Sequence, residues 1–419
     1  AARLPQGARQ SKLPSTSIGE DAMLNHSTAA ARTARVYLRA EDCRLDDLAT
    51  LCSQTVSLAD YPFAADVQKN ILIYDCPKLL PALSNPDDRR ALMAEWAEAM
   101  LTGPGVVVLK GAEPDLAMID EASAIFWRLI EEQNRSGTGG GDHFAKPGAN
   151  DRLWNSLEKH CLASPSNFAR YYANPFLAAI SEAWLGPHYQ ITAQLNVVNP
   201  GGAAQSPHRD YHLGFQSAAQ IERYPRHVQL LSPVLTLQGA IAHVDATIET
   251  GPTQLLPFSQ AYDAGYLAMN RPDFRAFFAE NHVQLPLAKG DMLFFSPALL
   301  HAAGTNRSTD IRRMVNLFQI SSAYGRAMET VDRTRMIKAL YLTLRAAKKD
   351  GSLSDIQIAH AIAASAEGYS FPTNLDRDPP LGGMAPKTQA ALVAEALAGD
   401  WDADKLNASL DEQAAKKCA

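Results

Sequence analysis

Hydrophobic and polar positions along this chain change their period twice. From about residue 41 to 188 the spacing is mostly helical. Leu45, Leu48 and Leu51 recur at helical intervals in EDCRLDDLATLCSQTV, residues 41–56. A stronger helix is predicted over 86–101, with Asn85 as its cap and Pro86 in its first turn. Leu92, Met93, Trp96 and Met100 form its apolar side. The run GPG stops it, and VVVL (106–109) then reads as a short buried strand. Further helices are predicted near 115–133 and 166–185, the latter carrying Phe168, Tyr171, Tyr172, Phe176, Leu177 and Ile180. Between them RSGTGGGDHFAKPGAN (135–150) is a Gly-rich loop. It lacks the Gly-Lys-Ser/Thr of a phosphate cradle, so it is a connector or a lid.

From 189 to 321 the texture is different. ITAQLNVVN, SPHRDYHLGF, VLTLQGAIAHV, PTQLLPF, HVQLPL, DMLFFS and RRMVNLFQI alternate with turns rich in Gly, Pro, Asn and Asp. Short strands at this spacing predict a β-sandwich or barrel of the jelly-roll kind, not a parallel α/β sheet. Beyond about 327 the helical period returns, with helices near 330–348, 354–366, 386–398 and 404–416. The predicted organisation is an N-terminal arm (1–40), a helical part (41–188), a β core (189–325) and a C-terminal helical extension (326–419). The extension would cover the β core, and it offers surface for an oligomer.

Composition narrows the function. Of 419 residues, 46% are hydrophobic and 20% charged, which suits a globular protein with a sizeable core. A net charge of −6 speaks against nucleic acid as the main partner. No apolar run approaches the roughly 18 residues of a membrane span. The five cysteines are widely spaced and contain no C-x-x-C, so reduced thiols in a cytoplasmic-type compartment are expected. Residues 1–35, rich in Ala, Arg and Ser and poor in acids, suit a disordered arm, a transit-type segment or an expression remnant.

The candidate chemistry lies in SPHRDYHLGF. His208 and Asp210 are two apart, and alternate residues of a strand project to one face. A third ligand, His301, lies in DMLFFSPALLHAAGTNRSTDIRRMVNLFQ. Two imidazoles and one carboxylate form a facial set that suits Fe(II) and leaves three positions open. If the turn GTNRSTD closes an antiparallel hairpin, Arg312 faces His301 and Arg313 points the other way. Arg312, with its bidentate fork, then suits the distal carboxylate of a dicarboxylic cosubstrate. A second triplet, His243-Val244-Asp245, stands too close to His301 for the strands a jelly roll needs between its ligand-bearing strands, so His243 is expected in the core. His212 shares the parity of His208 but should clear the metal.

On these motifs the stretch 189–321 resembles the phytanoyl-CoA dioxygenase family of Fe(II)/2-oxoglutarate oxygenases. The likeness rests on HRD (208–210), DATIETGPTQLLPFSQ (245–260) and GDMLFFSPALLHAAGTNRS (290–308) followed by Arg312. It reaches back to GPGVVVLKG and covers about 95–325. It departs from the family at Thr250 and at Phe258-Ser259-Gln260, positions that shape loops. The resemblance implies a double-stranded β-helix, cupin-like, flanked by N- and C-terminal helices. It also implies Fe(II) on His208, Asp210 and His301, 2-oxoglutarate held by Arg312 with support from Gln194 and Asn196, and O2 as oxidant. Asp210 is intact where the halogenating relatives carry a small residue, which speaks against halogenation.

The implied reaction is hydroxylation of an unactivated C–H bond of a small molecule, with succinate and CO2 as coproducts. Lys146, Trp154 and Asn155, in and beside the Gly-rich loop with His143 and Arg152, are the candidate substrate contacts. A CoA thioester would want a basic patch, and none stands out. Two alternatives remain: a non-catalytic jelly-roll binding protein or degenerate oxygenase, and a metal enzyme without a keto-acid cosubstrate.

Overall fold

The computed structural model describes residues 29–137, 148–380 and 382–418. Ten strands are present among them: β1 (Asp66–Gln68), β2 (Ile71–Asp75), β3 (Val106–Lys110), β4 (Asn150–Leu153), β5 (Gln190–Val198), β6 (Thr236–Ala242), β7 (Gln254–Leu255), β8 (Met292–Phe295), β9 (His301–Ala302) and β10 (Arg313–Ser321). Eight of them form one mixed sheet in the order β1-β2-β3-β8-β6-β10-β5-β4, and β7 pairs with β9 in a second, small sheet. All pairs are antiparallel except β2 with β3. The N-terminal part is therefore not purely helical. Its strands β1 to β4 extend both edges of the central sheet.

Side-chain alternation gives the sheet two different faces. Leu195, Val197, Ile241, Met292, Phe294, Met314, Phe318 and Ile320 point outward onto a thick helical layer. Its members include the helices Pro86–Leu101, Leu116–Arg135, Pro165–Tyr171 and Pro175–Leu185. Val106, Val108, Ala242, Leu293 and Phe295 point inward and meet Leu255, Leu285, Leu287 and Leu299. The functional side chains lie on this inner face, between the two sheets.

The helices end where local chemistry ends them. Asn85 accepts from the amides of Asp87 and Asp88 and starts Pro86–Leu101 at the predicted residue. The single helix expected over 166–185 is two. Pro175 has no N–H to continue the first, and the Asn174 side chain accepts from Phe176 and Leu177 to begin the second. Ala29–Val36, inside the segment read as an arm, is helical.

The C-terminal helices Arg333–Asp350, Asp355–Ser365, Gln389–Ala398 and Ala403–Lys416 follow the predicted sites closely. Their apolar stripes (Met336, Ile337, Leu340, Leu344, Leu392, Val393, Leu406, Leu410) belong to the main core. Buried Arg333 ties the extension to the sheet by donating to the carbonyls of Ala364 and Ile191. Among the described residues no helix is long and apolar enough to cross a membrane.

Candidate metal centre

SPHRDYHLGF is not a continuous strand. His208 forms one antiparallel bridge to His301, with N–H···O distances of 2.9 and 3.1 Å in the two directions. Residues facing across such a bridge present their side chains on one side, so the imidazole centroids stand 4.5 Å apart. The alternation survives for two further residues. Asp210 donates its amide to Pro297 and turns its carboxylate to the same side as His208. Arg209 turns away into a buried seat, donating to the carbonyls of Ser259 and Tyr262 and lying over the Tyr266 ring. Tyr266 in turn donates to the Asp210 carbonyl at 3.1 Å. Gly265 is required there, since a Cβ would sit 1.8 Å from the Arg209 guanidinium carbon. The chain then leaves the strand path through left-handed Tyr211 (φ 65°) and His212 (φ 37°).

One donor atom from each of His208, Asp210 and His301 lies within 4.8 Å of the others. Both imidazoles are oriented by their own backbone. His208 Nδ1 is 2.8 Å from the Ser206 carbonyl, and His301 Nδ1 is 2.9 Å from the Leu299 carbonyl. A carbonyl only accepts, so each Nδ1 carries the proton and each Nε2 offers a lone pair. His208 Nε2 is 3.7 Å from Asp210 Oδ1, and His301 Nε2 is 3.5 Å from Asp210 Oδ2. Burial opposes ionisation of Asp210. Positive charge on the two imidazoles, when they are protonated, outweighs it and holds the carboxyl well below the usual range; with both rings neutral, the Gln238 amide is the donor that still favours the carboxylate. Three acceptors converging at this spacing fit a divalent cation.

The two arginines are placed opposite to the hairpin expectation. β9 pairs with β7 in the small sheet, while β10 lies in the large one, so His301 and Arg312 are not cross-strand partners. Arg312 is exposed on the helical side, with its guanidinium 5.4 Å from the Trp127 ring. Arg313 pairs with Val198 on the inner face and is 4% exposed. Its guanidinium donates to the Thr250 carbonyl (3.2 Å) and the Gly304 carbonyl (3.5 Å). Burial lowers its pKa to about 10, which still leaves it charged at neutral pH. A charged guanidinium held, among the described residues, by two carbonyls suits an anionic ligand.

Gln194 and Asn196 are buried on the same inner face of β5. Gln194 donates to Gln319 (2.7 Å) and accepts from Arg152 (2.9 Å). Asn196 Oδ1 is buried without a hydrogen-bond partner among the described residues. Trp154 lies under the Arg152 guanidinium at 4.6 Å. Asn155 turns elsewhere: its amide donates to Glu329 and its side chain to Glu158 and Thr330. Lys146 and His143 lie outside the described residues.

His243 stands on the outer side, between Ser123 (2.8 Å) and Tyr171 (2.9 Å), and burial pushes its pKa down to about 3. His212 meets Ser232 and the Arg326 carbonyl, clear of the triad. The positions that depart from the family pattern still support the site. Ser259 Oγ accepts from the Leu300 amide next to His301, and Gln260 donates to the Gly103 carbonyl. Sequence reasoning missed Gln238 and Arg313. The signal for Gln238 was a lone polar side chain in the apolar run TLQGAIA, at a parity that only the sheet register reveals.

A sequence profile of the family described as Phytanoyl-CoA dioxygenase (PhyH) matches residues 88–314. Dioxygenase trt7 of Aspergillus terreus (strain NIH 2624 / FGSC A1156) is 28% identical over 226 residues, covering 52% of this chain and 70% of that one. Iron/alpha-ketoglutarate-dependent dioxygenase ausU of Aspergillus calidoustus is 29% identical over 141 residues, 33% of this chain and 41% of its own. Among solved structures, the epimerase SnoN in complex with Fe3+, alpha ketoglutarate and nogalamycin RO is similar over 57% of this chain and 85% of its own, at 19% identity and a TM-score of 0.38.

Proposed function

The chain belongs to the phytanoyl-CoA dioxygenase family, and we propose that His208, Asp210 and His301 hold its ferrous ion while Arg313 anchors 2-oxoglutarate. Its enzyme class is that of the iron- and 2-oxoglutarate-dependent dioxygenases. Bound together, iron, 2-oxoglutarate and dioxygen supply an oxidant for a C–H bond, with succinate and CO2 as coproducts. The reaction we assign is hydroxylation of a small molecule.

The observation that carries the reading is the convergence of two Nε2 lone pairs and one ionised carboxylate on the inner face. The protein's own contribution is geometry and charge. The Ser206 and Leu299 carbonyls fix the tautomers, so metal binding at Nε2 displaces no proton from the rings. Arg313 neutralises the far carboxylate of the cosubstrate, and Asn196 and Gln194 line the way to it. Phe295, 4.8 Å from His301, and Leu299 keep water from the inner side of the triad. Arg152, Trp154 and Gln194 form the polar rim on which we place substrate.

We also assign the fold as a double-stranded β-helix. The order β5-β10-β6-β8 gives one sheet of such a fold. The facing sheet is supplied by the bridges of His208 to His301, β7 to β9 and Leu255 to Val283.

The test is anaerobic addition of Fe(II) and 2-oxoglutarate. A visible charge-transfer band and, on admitting air, release of succinate are expected. His301→Ala should abolish both, whereas a protein that only binds a small molecule would keep its ligand. If the intact protein gives neither band nor succinate, the assignment is wrong.

A further inference from the structure

Gln238 is a polar side chain that touches the triad without being one of its ligands. It sits on β6, opposite Phe295 on β8 and Gln319 on β10, and is buried on the inner face. Its amide nitrogen donates to Asp210 Oδ2 and lies 3.4 Å from His301 Nε2. Both of those atoms are acceptors, because His301 carries its proton on Nδ1. Only the nitrogen end of the amide can therefore face them. The oxygen end, Oε1, points away and is buried without a hydrogen-bond partner among the described residues. The polar contacts of this side chain thus go to the metal-binding groups and not to the surrounding scaffold.

The consequence concerns Asp210. Its Oδ2 accepts from the Gln238 N–H and lies 3.5 Å from His301 Nε2, while its Oδ1 lies 3.7 Å from His208 Nε2 and has no contact with Gln238. A donor on Oδ2 takes one of that oxygen's lone pairs and competes with a second metal–oxygen bond. If both oxygens coordinated, they would use one of the three positions that cosubstrate and dioxygen need. Phe295 packs its ring against His301. Gly239 lets Phe294 lie flat on the opposite face of β6, where a Cβ would meet the ring at 2.3 Å.

We infer that Gln238 is a positioning residue that restricts Asp210 to one-oxygen coordination and so keeps the third position open. This inference rests on the assignment of the triad as the iron site. Nothing about Gln238 is needed for the triad itself to bind a metal, so the two ideas fail separately.

The experiment uses Co(II) as a spectroscopic probe on the intact protein, with Gln238→Met and Gln238→Leu as apolar replacements of similar size. Melting temperature, Co(II) affinity and the visible Co(II) bands are measured for all three proteins. Both variants lose a donor but also remove a buried, unpartnered oxygen, so the metal-free melting temperature should hold or rise. Co(II) affinity should fall roughly 10- to 100-fold, and the bands should shift as the coordination number changes. 2-Oxoglutarate should displace the variants' band less completely. Wild-type affinity and an unchanged spectrum in either folded variant would overturn the inference and leave the triad standing. Failure of the unmodified protein to bind Co(II) would sink the triad instead. A fall in melting temperature with unaltered Co(II) bands would mark Gln238 as structural and also reject the inference.

Discussion

Arg313 and its neighbour Arg312 give the sharpest test of the site, because the structure gives them opposite surroundings. Arg313 is buried on the inner face with two carbonyl contacts, and Arg312 is exposed against Trp127. Replacing each by Met removes the charge and keeps the bulk. Removing one partner of a buried, hydrogen-bonded charge pair costs about 2–5 kcal/mol of binding. At about 1.4 kcal/mol per tenfold, Arg313→Met should weaken 2-oxoglutarate binding between roughly 30-fold and a few thousand-fold. Arg312→Met loses an exposed cation–π contact of about 0.5–1 kcal/mol, which touches stability and not the cosubstrate.

The metal-free protein supplies a second sign. There Arg313 is a buried charge with no carboxylate opposite among the described residues, so Arg313→Met should match or exceed the parent in melting temperature. Cosubstrate at 100 times its Kd stabilises the parent by about 2.7 kcal/mol, and at the same concentration this gain should fall to about 0.9 kcal/mol or less in the variant. The assays are anaerobic titration of the Fe(II) charge-transfer band and thermal melts with and without 2-oxoglutarate. A keto acid lacking the far carboxylate should bind parent and Arg313→Met alike. The reasoning is refuted if Arg312→Met loses cosubstrate affinity while Arg313→Met retains it.

Two further outcomes follow from buried groups. His160 and His243 are held neutral by burial, with pKa values of about 4 and about 3, below the unfolded value near 6.5. The unfolded chain therefore binds protons that the native one does not, and stability falls as pH drops below 6.5. At pH 5 each histidine accounts for roughly 2 kcal/mol of that loss. Glu95, Glu113 and Glu329, whose pKa values burial raises, act in the opposite sense. Urea unfolding of parent and His160→Gln/His243→Gln at pH 7.5 and 5 isolates the histidines, and equal pH slopes would contradict their burial as neutral rings. Gly265→Ala drives a methyl into the Arg209 guanidinium, so a loss of about 1–3 kcal/mol in urea unfolding is expected, together with weaker metal binding. Unchanged stability there would mean that Arg209 is not the anchor of the HRD segment.

Much of this arrangement was legible in the chain, for local reasons. Asn85-Pro86 marks a helix start by its own hydrogen-bonding chemistry, and the tail helices announce themselves by an unbroken 3.6 period. His208, Asp210 and His301 could be named because few spacings of ligating residues suit one metal. What could not be read was which strand lies beside which. A simple hairpin would place Arg312 inward only if the residues on either side of the turn shared a sheet. The segment after His301 instead crosses from the small sheet to the large one. It is held by Asn306, which donates to the carbonyls of Val198 and Ile311. That crossing shifts the parity by one residue and exchanges the two arginines. Gln238 was hidden for the same reason: its partner groups arrive from other strands, and their register is a property of the sheet.

The backbone bridge between His208 and His301 has a bearing on biogenesis. The two histidines meet only when distant parts of the chain have been made and paired, and the pairing that joins them also completes the small sheet. A nascent or partly unfolded polypeptide offers no such claw, so metal capture by this triad would have to follow that pairing.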